Sequence, residues 1–356
     1  MKVLFLARRF YPEIGGVERH VLEIGKILAE NGYRVTVISE NFEKTHSLDK
    51  HSNSSSAKAT GKVFGIASVK IEAGKDNRWK KFRIWKELWG KRELIKEADI
   101  VHCHDVFFWY LLFRFLYPRK KIFTTFHGYE GNNIPGRKAI YMHKLAEKLS
   151  NGNICVGDFL KKWYGTKPAF VTYGAVDLNE FKGEKSKNEA VFVGRLEEET
   201  GILEYLKALS ILRNKGKDLK LTVLGEGSLE NAAKKYVKEN DLNVEFKGFI
   251  NNVEKYINSA NYVFVSRYLG ILEAMAAKKL VIAEYNNAIK RDYLQMAPFA
   301  KDIIIAKNGE EIAEKLIKVL NKNSELEIND AYNWVKNQTW ENLVNVYLKL
   351  WGIKSS

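Results

Sequence analysis

The amino-acid sequence predicts an α/β protein made of two doubly wound units, each built around a parallel sheet. Short apolar runs rich in β-branched residues alternate with longer helix-like segments along the whole chain. Strands that are apolar almost throughout are typical of parallel sheets with helices on both faces. The alternation starts again near residue 190, and 356 residues are enough for about two domains.

In the first unit, residues 2–7 form the first predicted strand. Residues 16–30 form a helix, because apolar side chains recur there every three or four positions. Further strands are predicted at 33–39, 99–104 and 121–126.

In the second unit helices fill the gaps between strands, and the join between the units falls between residues 165 and 187. The helical, aromatic-rich tail from 332 to 351 is expected to cross back to the first unit. We therefore predict one domain from residues 1–168 and 335–356, and another from residues 169–334. The predicted strands of the second unit are 190–193, 219–224, 244–246, 262–265, 280–283 and 303–305.

The composition indicates a basic globular protein. Lysine and arginine number 58 against 43 acidic residues, a formal net charge of +15, which favours a nucleic acid, a membrane surface or a phosphorylated ligand as partner. Cys103 and Cys155 are the two cysteines, too few for a disulfide scaffold. The most apolar stretch, 106–116, is shorter than the roughly 20 residues of a membrane span. We expect a cytoplasmic protein without a spanning segment.

Candidate site residues follow the strands, because ligands of open parallel sheets bind beyond the carboxyl ends of the strands. Gly15 and Gly16 stand where a helix begins, and backbone N–H groups there favour an anion. An ordinary tight turn is the alternative. No G-x-G-x-x-G or Walker A sequence occurs, which argues against a dinucleotide oxidoreductase and an ATPase.

Histidines end two further strands of the first unit. His102 and His104 share one face of their strand, but a metal site needs more ligands than these, and none is apparent nearby. We therefore expect no metal. His127 stands beside a glycine, where it can orient a substrate hydroxyl, although a structural histidine is the alternative.

In the second unit, Gly194 and Arg195 end the first strand, and an arginine there can hold a phosphate through its fork of N–H groups. Gly225 ends the next strand, and Gly270 opens a later helix. Glu273, one turn into that apolar helix, needs a polar partner if it is buried, and a ribose diol is one such partner. Each signal is weak alone, but they recur at successive strand ends.

These segments together resemble the family 4 glycosyltransferases of the GT-B fold. The resemblance covers nearly the whole chain, and LEAMA at 272–276 is its strongest single element. The segments in chain order are FYPEIGGVERHVLEIGKILAENGYRVTVIS, DIVHCHD, TTFHGYE, TYGAVDLNEF, VFVGRL, TVLGEG, VEFKGFI and LEAMAAKKLVIA.

The resemblance implies two Rossmann-like domains that face each other across a cleft, the first for the acceptor and the second for the nucleotide sugar. It also implies a hexosyltransferase that moves a sugar from a UDP- or GDP-sugar to a hydroxyl, with retention at the anomeric carbon and without a catalytic metal or other cofactor. A helix N-terminus and an arginine would stabilise the charge that develops on the leaving diphosphate.

Roles for individual residues follow from the same resemblance. Gly16 would approach the diphosphate and Arg195 would hold it as the leaving group. His127 would contact the sugar near the reacting centre, and Glu273 would bind the ribose hydroxyls. The expected catalytic residues are His127 and Arg195; the donor-binding residues are Gly15, Gly16, Gly194, Arg195, Gly225, Gly270 and Glu273; the acceptor or cleft residues are Glu18, His104 and Tyr129.

Two positions depart from the family pattern. Thr200 stands where the family usually has a phosphate-binding lysine, and Val265 stands where the first of two glutamates is expected. Lys290 and Arg291 are candidates to supply the missing positive charge.

A basic aromatic stretch occupies residues 78–92, with seven Lys or Arg and one Glu. Aromatic residues at helical spacing among cations are typical of an amphipathic helix on an anionic membrane surface. The alternative is a helix with its apolar stripe on the sheet and its cations in water; no nucleic-acid motif occurs, so no nucleic acid is expected. The expected membrane-surface residues are Trp79, Lys80, Lys81, Phe82, Arg83, Trp85 and Trp89.

The sequence thus predicts a glycosyltransferase peripheral to the cytoplasmic face of the membrane. Its acceptor would be a lipid-linked glycan, a glycolipid or a polysaccharide. Two alternatives stay open: a GT-B nucleotide-sugar epimerase or phosphorylase, and a degenerate subunit that binds but does not catalyse.

Overall fold

The computed structural model describes residues 1–13, 15–41, 60–129, 134–181, 189–320 and 325–354. Within these residues the chain forms two sheets, of eight and six strands, with helices packed on them. The predicted fold class, two doubly wound α/β units, is confirmed. No helix of the described residues is long and apolar enough to cross a bilayer.

The strands of the first sheet are β1 (Lys2–Ala7), β2 (Arg34–Glu40), β3 (Thr60–Val63), β4 (Ile66–Ile71), β5 (Ile100–His104), β6 (Lys121–Phe126), β7 (Gly152–Val156) and β8 (Phe170–Thr172). Those of the second sheet are β9 (Glu189–Val193), β10 (Lys220–Leu224), β11 (Val244–Gly248), β12 (Tyr262–Phe264), β13 (Leu280–Glu284) and β14 (Ile304–Ala306).

The helices are α1 (Gly16–Glu30), α2 (Lys80–Gly90), α3 (Arg92–Glu97), α4 (Phe107–Leu116), α5 (Arg137–Leu149), α6 (Phe159–Tyr164), α7 (Ile202–Asn214), α8 (Glu230–Glu239), α9 (Val253–Ser259), α10 (Tyr268–Ala276), α11 (Ala288–Gln295), α12 (Gly309–Leu320), α13 (Glu325–Val335) and α14 (Trp340–Trp351).

The strand order of each sheet shows where a ligand is expected to bind. The first sheet has the order β3-β4-β2-β1-β5-β6-β7-β8, and all its pairs are parallel except β3 with β4. The order reverses direction between β1 and β5, and in the second sheet, β11-β10-β9-β12-β13-β14, it reverses between β9 and β12. Ligands bind at such switch points, beside the carboxyl ends of the strands.

The boundary between the domains lies later than the sequence predicts. Phe170–Thr172 pairs with β7, so the first sheet continues beyond residue 168. The sequence did not reveal β8 because this edge strand has only three residues and follows Pro168 closely. A proline is compatible with the start of an edge strand. Residues 182–188, inside the predicted join, are outside the described residues.

The helix α14 packs on the first sheet, next to α1. Its buried residues include Trp340, Tyr347 and Trp351, which lie in one apolar cluster with residues of β1, β5, β6 and β7. The segments that leave and re-enter the first domain run side by side, because the backbone N–H of Val176 donates to the carbonyl of Gln338 at 2.9 Å.

Deletion of the Trp351 side chain tests this packing. Trp351 is 2% exposed, and Trp351→Ala should lower the free energy of unfolding by about 3–5 kcal/mol, because a large cavity remains under the sheet. Trp79→Ala is the matched control: Trp79 is 55% exposed, and its loss should cost less than about 1 kcal/mol. Urea unfolding followed by circular dichroism measures both, and equal losses would contradict the packing of α14 on the first sheet.

Candidate active site

The two sheets bring their strand ends together at a contact between helices α1 and α10. Arg19, in the first turn of α1, donates from Nη1 to Oε1 of Glu273 at 2.5 Å and from Nη2 to Glu180 at 2.9 Å. The Glu273 side chain is 4% exposed, so this ion pair is buried between the two halves of the chain.

The protonation of Glu273 is set mainly by burial. Burial raises the pKa of its carboxyl to about 7, although the nearby Arg19 guanidinium acts in the opposite direction. The sequence predicted that a buried Glu273 requires a polar partner, and the partner in the structure is Arg19. Sequence reasoning missed Arg19 itself, since 254 positions separate the two residues.

The N-terminus of α1 leaves open space beside Gly16. A Cβ added to Gly16 would meet no atom within 4 Å, whereas one added to Gly15 would lie 2.3 Å from Oε2 of Glu18. The Glu18 carboxylate therefore covers Gly15, whereas the space beside Gly16 is open.

On the other side of the cleft, Arg195 follows β9 and is 70% exposed, with Nη2 2.7 Å from Glu199. Thr200 Oγ lies 2.6 Å from the carbonyl of Arg195 and 2.7 Å from that of Glu197. Thr200 thus holds the loop that presents Arg195, a role that differs from that of the phosphate-binding lysine it replaces.

Two of the predicted glycines of the second domain, Gly225 and Gly270, are required by packing. Gly225 has φ 141°, and a Cβ there would lie 1.9 Å from the carbonyl oxygen of Gly194. A Cβ on Gly270 would lie 2.6 Å from the side chain of Val265, so that helix α10 could not start so close to the end of β12. Their predicted part in binding the sugar donor stays a prediction.

Of the two candidates for the missing cation, Lys290 is buried, and Arg291 is 45% exposed with its Nη2 3.6 Å from Asp292. Lys290 is fully buried, with Nζ 2.9 Å from Oε2 of Glu284 and 2.6 Å from the carbonyl of Glu199. Burial lowers the pKa of Lys290 and raises that of Glu284, and their mutual attraction opposes both shifts. Arg267, which sequence reasoning did not single out, is exposed, and its guanidinium lies 5.7 Å from the centre of the Tyr129 ring.

Histidines line the first-domain side. Nδ1 of His104 is 2.9 Å from Nε2 of His127, and the His102 and His104 rings stack at 5.1 Å, on the shared face that the sequence predicted. Burial lowers the pKa of His127 to about 3 and those of His20, His102 and His104 well below the ordinary range. All four rings are therefore neutral at physiological pH.

Three of these rings are close enough to share a metal ion. Ligand atoms of His20, His104 and His127 all lie within 4.8 Å of one another. The sequence showed no further ligand near His102 and His104, because His20 and His127 come from distant parts of the chain.

Only some of the residues predicted to form a membrane surface are exposed in the structure. Trp79, Phe82 and Trp89 are 55%, 57% and 49% exposed. Trp85 is half-buried and donates its indole N–H to the carbonyl of Phe108 in α4 at 2.9 Å. It therefore attaches α2 to α4 instead of facing outward.

Two predicted cations of this surface also turn toward the protein. The Lys80 side chain is 12% exposed and pairs with Glu40 at 2.7 Å, and Arg83 donates to the carbonyls of Ala73 and Lys75. Lys80 and Arg83 therefore attach α2 to the end of β2 and to the residues that follow β4. Helical spacing alone does not reveal this arrangement.

Helix α4 extends the exposed apolar surface. Leu112, Phe115 and Leu116 are 41%, 72% and 49% exposed. We call the surface formed by Trp79, Phe82, Trp89, Leu112, Phe115 and Leu116 the α2–α4 face; exposed cations around it are Arg78, Lys81, Lys86 and Arg92.

Comparison with known sequence families gives two matches that follow each other along the chain. The family described as "Glycosyltransferase Family 4" matches residues 14–180, and "Glycosyl transferases group 1" matches residues 177–339. The first match covers all strands of the first sheet except β1, and the second match covers the second sheet. The chain belongs to the family 4-like glycosyltransferases. No curated protein sequence matches this glycosyltransferase closely enough to count as a relative.

Solved glycosyltransferase structures share the whole fold of this enzyme. A glycosyltransferase from Rickettsia africae ESF-5 is 19% identical, with 100% of this chain and 99% of that chain covered and a TM-score of 0.71. Anabaena Alr3699/HepE, in complex with UDP and glucose, is 12% identical over 99% of both chains, with a TM-score of 0.74. WaaG, a glycosyltransferase involved in lipopolysaccharide biosynthesis, is 14% identical over 97% of this chain and 99% of that one, with a TM-score of 0.64. These likenesses establish the GT-B fold.

The raised pKa of Glu273 makes stability depend on pH. The folded chain retains the Glu273 proton up to about pH 7, whereas an ordinary glutamate loses it near pH 4.5. The stability that this proton contributes is therefore present below pH 4.5 and lost as the pH rises through 7. Between pH 5 and 8, the free energy of unfolding should fall by on the order of 2–3 kcal/mol more in the wild type than in Glu273→Gln.

Denaturant unfolding at both pH values measures this difference. The matched control is Glu180→Gln, which removes a more exposed carboxylate from the same arginine. The Glu180 charge helps to raise the pKa of Glu273, so this variant should keep most but not all of the wild-type pH dependence. An equal change in the free energy of unfolding between the two pH values, for the wild type and Glu273→Gln, would contradict the raised pKa of Glu273.

Proposed function

We propose that this glycosyltransferase is a retaining, metal-independent enzyme that moves a sugar from a UDP- or GDP-sugar to a hydroxyl of a lipid-linked glycan, glycolipid or polysaccharide. It works at the cytoplasmic face of the membrane, to which it attaches peripherally. The observation that carries the acceptor and its location is the α2–α4 face.

The arrangement of the cleft supports the sugar-donor side of this proposal. Bond cleavage at the anomeric carbon leaves negative charge on the departing diphosphate, and a preorganised positive group stabilises it. Arg195 is exposed at a strand end, and Gly16 opens the N-terminus of α1 on the opposite side. The Glu273 carboxylate accepts hydrogen bonds from the ribose hydroxyls, which then take the place of the Arg19 guanidinium beside Glu273.

The α2–α4 face supports the acceptor side. Large exposed apolar groups enter the boundary between lipid headgroups and acyl chains, and each nearby cation adds roughly 1 kcal/mol on an anionic surface. Helix α4 begins at Phe107, three residues after His104, so one of the two helices that carry the face starts beside a strand end that lines the cleft. A membrane-bound acceptor would reach the cleft along this side.

A binding subunit without activity is the second candidate, favoured by specific residues. Thr200 and Val265 lack the charges of the family pattern, and Arg19 occupies the carboxylate of Glu273. A nucleotide-sugar epimerase or phosphorylase differs in that it needs no membrane acceptor.

A thermal-shift screen of UDP-, GDP- and ADP-sugars, followed by a transfer assay with the sugar that binds, tests the enzyme. A ligand that binds only the folded state raises the melting temperature. In the transfer assay, Arg195→Ala should lower turnover at saturating sugar donor by about 100-fold or more, because charge on the leaving group is no longer compensated.

The matched control is Arg213→Ala, which removes another exposed arginine that pairs with a carboxylate, that of Asp241, away from the cleft. It should turn over like the wild type. Wild-type turnover by Arg195→Ala would remove this residue from the site. Turnover of the nucleotide sugar alone would favour the epimerase, and binding of no nucleotide sugar would favour the inactive subunit.

Replacement of Trp79, Phe82 and Trp89 together by serine tests the membrane surface. The triple variant should lose flotation with vesicles that contain anionic lipid, because the apolar groups no longer enter the interface. The control variant changes Phe249, Met296 and Leu326, exposed apolar residues of the second domain, to serine, and should still float. Retained flotation of the first variant would reject the α2–α4 face as the attachment site.

A further inference from the structure

A buried chain of hydrogen bonds lies behind the cleft and joins α14 to the histidines. Trp351 Nε1 is 3.1 Å from His102 Nδ1, and His102 Nε2 is 2.8 Å from Thr125 Oγ. Thr125 Oγ is 2.8 Å from the Tyr347 hydroxyl, which is 2.8 Å from His20 Nε2. The outer end of the chain is a tryptophan, which has an N–H and no lone pair to accept with.

The tryptophan fixes the direction of every later bond. Trp351 donates to His102, so His102 Nδ1 carries the lone pair and its Nε2 carries the proton given to Thr125. Thr125 then donates to Tyr347, and Tyr347 donates to His20. In the opposite direction the Thr125 hydroxyl proton would have no acceptor among the described residues. This direction leaves His20 with its proton on Nδ1.

A second, shorter pair comprises His104 and His127. His104 Nδ1 and His127 Nε2 are 2.9 Å apart, and one proton lies between them, because burial keeps both rings neutral. The other nitrogen of His104, Nε2, is buried and has no partner among the described residues.

The position of that proton follows from the cost of an unpaired group. If His127 donated, the N–H of His104 would sit on its buried Nε2 without an acceptor, and buried N–H groups without partners are rare. If His104 donates from Nδ1, its buried Nε2 carries a lone pair and no proton. The His104 N–H then has His127 Nε2 as its acceptor, and the remaining proton of His127 lies on Nδ1.

We propose that His104 is a positioning residue that fixes His127 as the tautomer with its proton on Nδ1, so that His127 presents a hydrogen-bond donor to the ligand. The ligand group it selects is an oxygen with an available lone pair, which a sugar hydroxyl and a phosphate both provide. His127 does not act as a general base through Nε2, because that nitrogen accepts from His104. The tautomer is independent of the proposed function; only the identity of the ligand rests on it.

Nitrogen-15 spectra of the full chain, labelled at histidine, measure the tautomer directly. Long-range proton–nitrogen correlations distinguish a protonated from a bare ring nitrogen, and the His127 signals are assigned by their loss in His127→Gln. The wild type should show His127 protonated at Nδ1 and bare at Nε2. The reverse pattern would overturn the proposal.

Two variants of His104 separate hydrogen bonding from packing. In His104→Asn the side-chain amide can place an N–H near the position of Nδ1, so the His127 tautomer should be retained. His104→Phe fills the space without a donor, so the two tautomers of His127 should both appear. His143→Gln, a change at a half-buried histidine outside both hydrogen-bonded groups, is the control and should leave the His127 signals unchanged.

Binding measurements identify the ligand oxygen. For the sugar donor, His104→Phe should weaken affinity roughly tenfold, the value of about one hydrogen bond, while His104→Asn stays near the wild type. If affinity for UDP alone falls equally, the oxygen belongs to a phosphate; if it does not change, the oxygen belongs to the sugar. A merely structural role predicts the opposite order, with phenylalanine tolerated better than asparagine.

A metal ion is the competing occupant of the same nitrogens. Stoichiometric Zn²⁺ in the protein as purified, lost in His20→Gln, would mean that the native rings hold a metal ion instead of the proposed protons and would overturn the proposal. If no sugar donor binds the wild type, the proposed function fails while the spectra still decide the tautomer.

Discussion

The buried carboxylate of Glu273 is the constraint around which the cleft is arranged. A carboxylate that is removed from water without a counter-charge costs several kcal/mol, so its position is tied to that of a cation. Here the cation comes from the other domain, because Arg19 reaches it from the first turn of α1. The N-terminus of α1 and the start of α10 are thereby held next to each other. A ligand hydroxyl that binds Glu273 competes with Arg19, so ligand binding and domain contact are linked.

The histidine cluster and the exposed arginines of the second domain differ in charge. On the first-domain side the histidines are neutral, because burial disfavours their protonated forms. On the second-domain side Arg195 and Arg267 are exposed and positive. The neutral histidines suit the polar but uncharged part of a ligand, and the exposed arginines suit its anionic part. A sugar attached to a diphosphate has both parts.

The sequence was sufficient for the fold class, for most central strands and for the strand-end positions of Arg195, His104 and His127, since all of these follow from local patterns. It did not reveal contacts between distant segments. Arg19 meets Glu273, and Trp351 meets His102, across more than 240 positions. Nor did helical spacing show which cations of α2 face inward, because that depends on the neighbouring strand and on α4.

The placement of α14 sets the order in which the domains are completed during synthesis. The second sheet and its helices are formed from one continuous stretch of chain, residues 189–335. The first sheet lacks one of its covers until residues 340–351 have left the ribosome, because α14 supplies it. Domains made of uninterrupted chain usually fold in order from the N-terminus. In this protein the domain that is synthesised first is therefore finished last, and its apolar face waits for the second domain to be made.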